Sequence, residues 1–217
     1  MTPIREILAA SPVMPVIVLE RIADAVPLAK ALVSGGIRVL EITLRTAVAL
    51  DCVRAIRTAV PDAIVGVGTI TNLVDMNAAR EAGAMFGVSP GATQDLLADA
   101  STSAFPFLPG TMTPSDVMRA LDAGFSAMKL FPAKQAGGID MLKALGGPFP
   151  QVMFCPTGGI DADSAAAYLS LSNVACVGGS WLAPAELVDN HRWDEISRRA
   201  EAASQLSRHP LNSGTAK

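Results

Sequence analysis

Short apolar runs rich in β-branched residues alternate with longer segments of helical periodicity along nearly the whole chain. We interpret eight of these runs as strands, each followed by a helical segment. Strands that alternate with helices are typical of a parallel sheet with crossover helices. The predicted strands span residues 13–19, 37–43, 63–68, 84–89, 104–110, 126–131, 151–155 and 174–179.

Capping residues mark several ends of the predicted helices. The helix after the first strand is predicted to stop at Ser-Gly-Gly, residues 34–36, because glycine commonly terminates helices. Thr113 is a predicted N-cap, with Pro114 at the first helical position and Asp116 in the first turn. Another helix is predicted to begin at Thr71 and to end at Gly83.

Eight strand–helix units in about 200 residues predict a single (β/α)8 barrel at the lower limit of its usual size. The predicted barrel covers residues 1–207, opens with a short amphipathic helix, and is followed by a polar tail at 208–217. A doubly wound open sheet is the alternative. It would normally carry a glycine-rich fingerprint after the first strand, where residues 20–23 instead read ERIA.

The alternation within two strands predicts charged side chains inside the barrel or at its mouth. In the second strand, a period of two puts Glu41 and Arg45 on the face opposite the aliphatic residues. In the sixth strand, the same rule turns Ala127, Lys129 and Phe131 inward. These positions matter because barrel enzymes carry their active sites at the carboxyl ends of the strands.

An enclosed lysine suggests a nucleophile. Burial disfavours the charged ammonium and lowers the pKa of a lysine, and a nearby guanidinium such as Arg45 acts in the same direction. A neutral Lys129 amine could add to a ketone and form a Schiff base, while Glu41 is placed to move protons. The alternative is a structural network in which Glu41, Arg45 and Lys129 pair with one another and only fill the barrel.

A glycine pair at residues 158–159 follows the seventh strand, and another at residues 178–179 ends the eighth. Each pair alone would be explained by a simple turn. Two pairs after adjacent strands occupy the place where many barrels bind phosphate on backbone N–H groups. The residue types therefore favour imine chemistry on a phosphorylated oxo compound.

Charge and hydropathy exclude several classes of partner. The formal net charge of −3 gives no basic surface for nucleic acid or an anionic membrane. No apolar run reaches the ~18 residues of a membrane span. The first residues, MTPIREILAASP, lack the basic and apolar regions of a signal peptide.

The cysteines and histidines do not form a predicted metal site. Cys52, Cys155 and Cys176 are odd in number and lie in apolar segments, so we expect buried free thiols in a reducing compartment. His191 and His209, the only histidines, follow the eighth strand. A histidine- or cysteine-rich metal site at the strand ends is therefore not expected, whereas a site made only of carboxylates stays open.

Seven segments resemble, in order and spacing, the bacterial 2-keto-3-deoxy-6-phosphogluconate (KDPG) aldolases. This class I aldolase group also acts on 4-hydroxy-2-oxoglutarate (KHG), and the resemblance covers residues 5–205. It implies a small (β/α)8 barrel in the cytoplasm, assembled as a homotrimer, with a covalent imine through Lys129 and no metal or other cofactor. The segments are LEITLRT, GVGTI, GVSPG, PGTMTPSD, MKLFPA, FCPTGGI and VGGSWL.

The resemblance also implies roles for individual residues. Lys129 would form the Schiff base and Glu41 would be the general acid and base. One departure is visible, since Lys134 stands where many members carry an acidic residue. The other implied substrate contacts are Arg45 and Thr69 at the pyruvate carboxylate, Pro90 near that carboxylate, Phe131 against the pyruvyl group, Thr157 at substrate hydroxyls, and Gly158, Gly159, Gly179 and Ser180 at the phosphate.

The implied activity is cleavage of 2-dehydro-3-deoxy-6-phospho-D-gluconate to pyruvate and glyceraldehyde 3-phosphate, as in the Entner–Doudoroff route. The same chemistry on 4-hydroxy-2-oxoglutarate or on the galactonate epimer is an alternative. A barrel that binds a phosphorylated sugar acid without catalysis belongs to a different class, and so does an isomerase on a phosphate-binding barrel. These alternatives make different predictions for imine trapping.

Overall fold

The computed structural model describes residues 3–209. Residues 1–2 and 210–217, with most of the predicted polar tail, lie outside the described residues. The strands are β1 Val13–Ile17, β2 Val39–Thr43, β3 Ile64–Gly68, β4 Phe86–Val88, β5 Phe107–Leu108, β6 Gly110–Thr111, β7 Ala127–Leu130, β8 Met153–Pro156 and β9 Val177–Gly179. The helices are α1 Ile4–Ala9, α2 Ile22–Ser34, α3 Ala49–Ala59, α4 Leu73–Glu81, α5 Gln94–Thr102, α6 Pro114–Asp122, α7 Gly138–Gly146, α8 Ala162–Leu169, α9 Ala185–Asp189 and α10 Trp193–Ser204.

Parallel pairing closes these strands into a barrel. Six strands follow the order β5-β4-β3-β2-β1-β9, and three follow the order β6-β7-β8. Bridges from Phe154 to Val174 and from Thr157 to Gly178 connect β8 to the segment that ends in β9. Because β5 and β6 are two parts of one strand, the described strands make the predicted (β/α)8 barrel, and that prediction is confirmed.

Pro109 divides the fifth strand of the barrel. Proline has no N–H group to donate to a neighbouring strand, so regular pairing stops there. β5 pairs with β4 before the break, and β6 pairs with β7 after it. The Gly110 N–H donates instead to the Ser89 hydroxyl at 3.0 Å. The strand was predicted to be continuous over 104–110, so its division is a correction.

Alternate side chains of each strand pack in two separate apolar clusters. Leu40, Ile42 and Met128 belong to the larger cluster, between the strands and the surrounding helices. Val39 and Ala127 belong to the cluster inside the barrel, to which α1 also contributes. The predicted inward and outward faces of β2 and β7 are therefore confirmed.

Most predicted element ends differ from the observed ends by one to three residues. The first strand ends at Ile17, since Val18 is exposed, and the strand predicted from residue 174 begins as β9 at Val177, since Val174 makes only an isolated bridge to Phe154. Thr71 was predicted to begin a helix, but Asn72 is the N-cap of α4 and Thr71 donates its hydroxyl to Asp75. The predicted Thr113 cap of α6 is confirmed and forms a capping box.

No helix among the described residues has the length and apolar character needed to cross a membrane.

Candidate active site

β2 and β7 bring Glu41 and Lys129 together inside the barrel, although 88 positions separate them in the sequence. The Lys129 Nζ atom lies 3.1 Å from Glu41 Oε1, and the side chains are 6% and 1% exposed. A charge at this depth is strongly destabilising without a partner, so each group makes the burial of the other tolerable. The predicted inward direction of both side chains is confirmed.

Gly68 at the end of β3 makes room for the Glu41 carboxyl group. A Cβ atom at Gly68 would lie 2.7 Å from Cδ of Glu41, so any side chain at position 68 would displace the carboxyl group. The second oxygen of the carboxyl group, Oε2, is buried and has no hydrogen-bond partner within residues 3–209. A buried acceptor without a partner is costly, so Oε2 is suited to accept a proton or a hydrogen bond from a bound molecule.

A cavity of about 290 Å³ opens at the carboxyl ends of the strands, where Lys129 forms part of its wall. This is the face on which barrels carry their active sites. Eight of the sequence-predicted substrate contacts and catalytic residues reach this wall. The lining residues are Val16, Val18, Arg45, Lys129, Phe131, Thr157, Gly158, Gly159, Ile160, Gly179 and Ser180.

Three predicted residues do not belong to the lining of this cavity. Glu41 lies behind Lys129 and contacts it directly. Thr69 follows Gly68, is half-buried, and has a φ of 65°, which is an unusual backbone conformation for a β-branched residue. Pro90 packs its backbone against Gly110, near the break in the fifth strand. Thr69 and Pro90 therefore remain predictions as substrate contacts.

Arg45 lines the mouth of the cavity, apart from the buried pair. Its side chain is exposed and forms no salt bridge or hydrogen bond with the described residues 3–209. The buried pair contains only Lys129 and Glu41, so the alternative three-membered network is not formed. A free guanidinium at a cavity mouth is suited to bind a carboxylate through two parallel hydrogen bonds.

Phe131 supplies an aromatic wall next to the amine. The Lys129 Nζ atom lies 5.4 Å from the centroid of the Phe131 ring, within the range of a cation–π contact. The ring limits access of water to the amine on that side. An apolar surface beside a nucleophile is suited to the methyl or methylene group of a small oxo acid.

The turns after β8 and β9 form a glycine-lined side of the cavity. Gly158 and Gly159 have φ values of 102° and 74°, in the left-handed region that glycine adopts without strain. Among residues 3–209, the N–H groups of Gly159 and Ser180 donate to no acceptor. Unpaired N–H groups on a cavity wall are suited to bind an anion.

Gly178 in the adjacent strand β9 leaves space for the Thr157 side chain. Its hydroxyl donates to the Cys155 carbonyl at 3.3 Å, and the side chain occupies the space that a Cβ atom at Gly178 would need. Only glycine at position 178 allows Thr157 to stay in this place. The arrangement leaves Thr157 on the cavity wall, 4% exposed.

Several residues of the site were not predicted from the sequence. Val16 and Val18 line the cavity from β1 and the residue after its end, and the alternation that identified Lys129 would have found them. Ile160 has no such signal because it lies in the loop between β8 and α8. Ser89 and Thr111 form hydrogen bonds with backbone groups near the site and do not line the cavity. Thr111 Oγ1 donates to the Lys129 carbonyl at 3.2 Å.

The cysteines are buried, unpaired thiols, as predicted. The Cys155 and Cys176 sulfur atoms lie 3.5 Å apart, and this contact together with burial raises the pKa of Cys176 well above its ordinary value. Burial, followed by the charges of Asp51 and Asp24, raises the pKa of Cys52 to about 11. Within residues 3–209, no group of three or more His, Cys, Asp and Glu side chains is placed to hold a metal ion.

A (β/α)8 barrel with a buried lysine that faces a cavity at the carboxyl ends of its strands has the arrangement of a barrel enzyme. The family model for the KDPG and KHG aldolases matches residues 4–199. The chain therefore belongs to this family, and the resemblance noted in the sequence is confirmed.

Relatives and solved structures support this assignment over nearly the full length. The chain is 50% identical over 199 residues to the 2-dehydro-3-deoxy-phosphogluconate aldolase of Pseudoalteromonas atlantica, covering 92% of this chain and 93% of the relative. It is 48% identical over 202 residues to the KHG/KDPG aldolase of Escherichia coli K12, covering 93% and 95%. The KDPG aldolase of Legionella pneumophila, captured with pyruvate as a covalent carbinolamine intermediate, superimposes with a TM-score of 0.92 at 47% identity, covering 94% and 99%.

Proposed function

We propose that this protein is a class I aldolase that cleaves 2-dehydro-3-deoxy-6-phospho-D-gluconate to pyruvate and D-glyceraldehyde 3-phosphate. The observation that carries the proposal is the Lys129–Glu41 pair, buried at 3.1 Å and open to a cavity of about 290 Å³. The carboxylate can take a proton from the ammonium and leave a neutral amine facing the cavity. Such an amine is the nucleophile that imine formation needs.

The reaction begins with addition of the Lys129 amine to C2 of the substrate. Glu41, protonated by the ammonium, returns its proton to the hydroxyl of the resulting carbinolamine, which leaves as water and gives an iminium ion. Glu41 then accepts the proton of the C4 hydroxyl as the C3–C4 bond breaks, and the bonding electrons move into the enamine. The aldehyde leaves, Glu41 returns the proton to C3 of the enamine, and hydrolysis releases pyruvate and the free amine. The iminium nitrogen accepts the electrons, so the step needs no metal or further cofactor.

The remaining residues divide the cavity into two ends. At one end, Arg45 binds the pyruvate carboxylate and Phe131 packs on the pyruvyl carbons. At the other end, the N–H groups of Gly159 and Ser180 bind the phosphate. The complete proposed set of substrate contacts is Arg45, Thr69, Pro90, Phe131, Thr157, Gly158, Gly159, Gly179 and Ser180.

Reductive trapping tests the reaction class and the nucleophile together. Borohydride added in the presence of pyruvate is expected to fix one pyruvyl group on Lys129, located by mass spectrometry of peptides. The Lys129→Met variant is expected to give no adduct and no cleavage. A wild-type protein that turns over without an adduct would be an isomerase, and one without either property would be a binding protein.

The preferred substrate is a separate question within the same chemistry. Steady-state kinetics with the gluconate compound, its galactonate epimer and 4-hydroxy-2-oxoglutarate would rank the three by kcat/KM. We expect the phosphorylated compounds to be preferred, because the unpaired N–H groups of Gly159 and Ser180 are placed to bind an anion. A higher kcat/KM for 4-hydroxy-2-oxoglutarate would contradict the proposed preference.

The proposal includes a homotrimer in the cytoplasm, as the sequence resemblance implies. Val74 and Met118 are 77% and 55% exposed in the single chain, and apolar side chains of this size are often covered by association. Light scattering coupled to gel filtration would give the mass of the assembly. A monomer at micromolar concentration would contradict this part of the proposal.

A further inference from the structure

Lys134 lies beside the glycine-lined end of the cavity, four positions after the strand that carries Lys129. Its N–H group donates to the Gly158 carbonyl at 3.1 Å. Its side chain runs across Gly159: a Cβ atom there would lie 2.7 Å from Lys134 Cβ and 2.9 Å from Cδ. The ammonium group is only two bonds beyond Cδ, so it can reach the rim of the cavity next to Gly159.

The ammonium group of Lys134 is not engaged by any other described residue. The residue is exposed and forms no salt bridge or side-chain hydrogen bond with any of residues 3–209. Asp161 is a charged neighbour of Lys134, and its carboxylate accepts two hydrogen bonds from Ser164, at 2.6 and 2.9 Å. Those hydrogen bonds lower the pKa of Asp161, and the positive charge of Lys134 contributes in the same direction.

The rim therefore contains one negative and one positive group next to unpaired N–H groups. Asp161 is held by Ser164 at the start of α8, while Lys134 can move at the end of a flexible stem. A phosphate bound at Gly159 and Ser180 would be repelled by Asp161 and attracted by Lys134. Neutral groups at the same end of a substrate would experience neither effect.

We propose that Lys134 is a specificity-determining residue whose ammonium group attracts the terminal phosphate of the substrate at the Gly159 side of the cavity. This inference rests on the proposed function, since it assigns the phosphate end of that substrate. It predicts an electrostatic preference for the phosphorylated compound over 2-dehydro-3-deoxygluconate, which has a hydroxyl at the same end.

The test compares Lys134→Gln with Lys143→Gln. Lys143 is an exposed lysine in the last turn of α7 and does not line the cavity. Its variant therefore makes the same change of charge away from the proposed phosphate site. Lys134→Gln is expected to raise KM for the phosphorylated substrate by about three- to tenfold, and by less in high salt, because exposed charges are screened. KM for the unphosphorylated substrate is expected to change by less than about twofold, and Lys143→Gln to affect neither.

A second variant tests whether charge is the cause. In the Lys134→Gln background, Asp161→Asn removes the opposing charge and keeps a good N-cap for α8. KM for the phosphorylated substrate is expected to fall again. An unchanged KM in this background would overturn the inference, and so would equal effects of Lys134→Gln on both substrates.

Trapping with pyruvate separates this inference from the proposed function. Pyruvate lacks the phosphate end, so Lys134→Gln is expected to trap it on Lys129 at the wild-type rate. Failure of trapping in the wild type would remove the proposed function itself. Normal trapping together with an unchanged preference for phosphate in Lys134→Gln would remove only the role of Lys134.

Discussion

Gly68 shows how a missing side chain can place a catalytic group. The Glu41 carboxyl group occupies the volume that a β-carbon at position 68 would fill, and this position brings it within hydrogen-bond distance of Lys129. The pair of charged residues therefore depends on a third residue that carries no functional group. Gly68 does not have a positive φ, so glycine is required at this position for space and not for its backbone conformation.

Gly68→Ala is expected to displace the carboxyl group of Glu41 and to impair proton transfer more than binding. We expect kcat to fall by about 100-fold, since a shift near 1 Å in a reacting group has that effect, and stability to fall by about 1–3 kcal/mol through overpacking. Steady-state kinetics, the rate of pyruvate trapping and urea unfolding would measure these effects.

Gly147→Ala is the matched control for that substitution. Gly147 is exposed, has a φ of −63°, and would offer a new Cβ atom only an ordinary contact at 3.8 Å. Gly147 does not line the cavity, so its variant is expected to keep the wild-type kcat, while its stability falls slightly because a Cβ atom before Pro148 is disfavoured in a helical conformation. A Gly68→Ala protein with the wild-type kcat would show that the position of Glu41 does not limit the reaction.

Among the elements, α6 shows the clearest agreement between sequence and structure. Thr113 accepts a hydrogen bond from the Asp116 N–H group, and the Asp116 carboxylate accepts one from the Thr113 N–H group at 2.9 Å. The motif is visible in the sequence because all its contacts span three residues. The break at Pro109 is different, since it depends on Ser89, which belongs to another strand.

The α6 capping box is expected to stabilise the barrel by an amount that depends on pH. Thr113→Ala is expected to lower the free energy of unfolding by about 1 kcal/mol. Thr58→Ala is the control, because Thr58 lies within α3 and its hydroxyl donates to the carbonyl four residues earlier, so little loss is expected.

Asp116 determines the pH dependence of this contribution. Burial tends to raise its pKa, but hydrogen bonds from Thr113 and Met112 and the charge of Arg119 outweigh burial and lower it. The stabilisation is therefore present above the unfolded pKa of about 3.9 and is lost as the pH falls through the lower folded pKa. The difference in stability between the wild type and Asp116→Asn should shrink between about pH 5 and pH 3. A constant difference over this range would contradict the assignment.

Strand alternation made a large part of the site predictable, because it is a property of neighbouring residues. The inward direction of Glu41 and Lys129 follows from two short runs read separately. Their contact at 3.1 Å does not, since it requires β2 and β7 to face each other across a closed barrel. The place of Ile160 on the cavity wall and the exact ends of the strands likewise depend on how distant segments pack.

At the scale of the whole molecule, the barrel encloses two cysteines and a third lies under the helices. Cys155 and Cys176 belong to the inner apolar cluster, whereas Cys52 belongs to the outer one. All three are at most 1% exposed. A thiol reacts as the thiolate, and burial raises the pKa of Cys52 to about 11, so neither access nor ionisation favours reaction in the folded state.

Thiol labelling is therefore expected to report opening of the barrel. At pH 8 the native protein should react slowly with a disulfide reagent, whereas the unfolded protein should react rapidly at all three cysteines.

Pyruvate bound through Lys129 stabilises only the folded state, by RT ln(1 + [L]/Kd), and should slow labelling of Cys155 and Cys176 by about 100-fold at 100 times its Kd if both react only through global unfolding. Mass spectrometry of labelled peptides over time would measure each site, and Lys129→Met should lose the pyruvate effect. Rapid labelling of the native wild type would mean that the barrel opens far more readily than its packing implies, and pyruvate protection retained in Lys129→Met would place pyruvate at a site other than the buried amine.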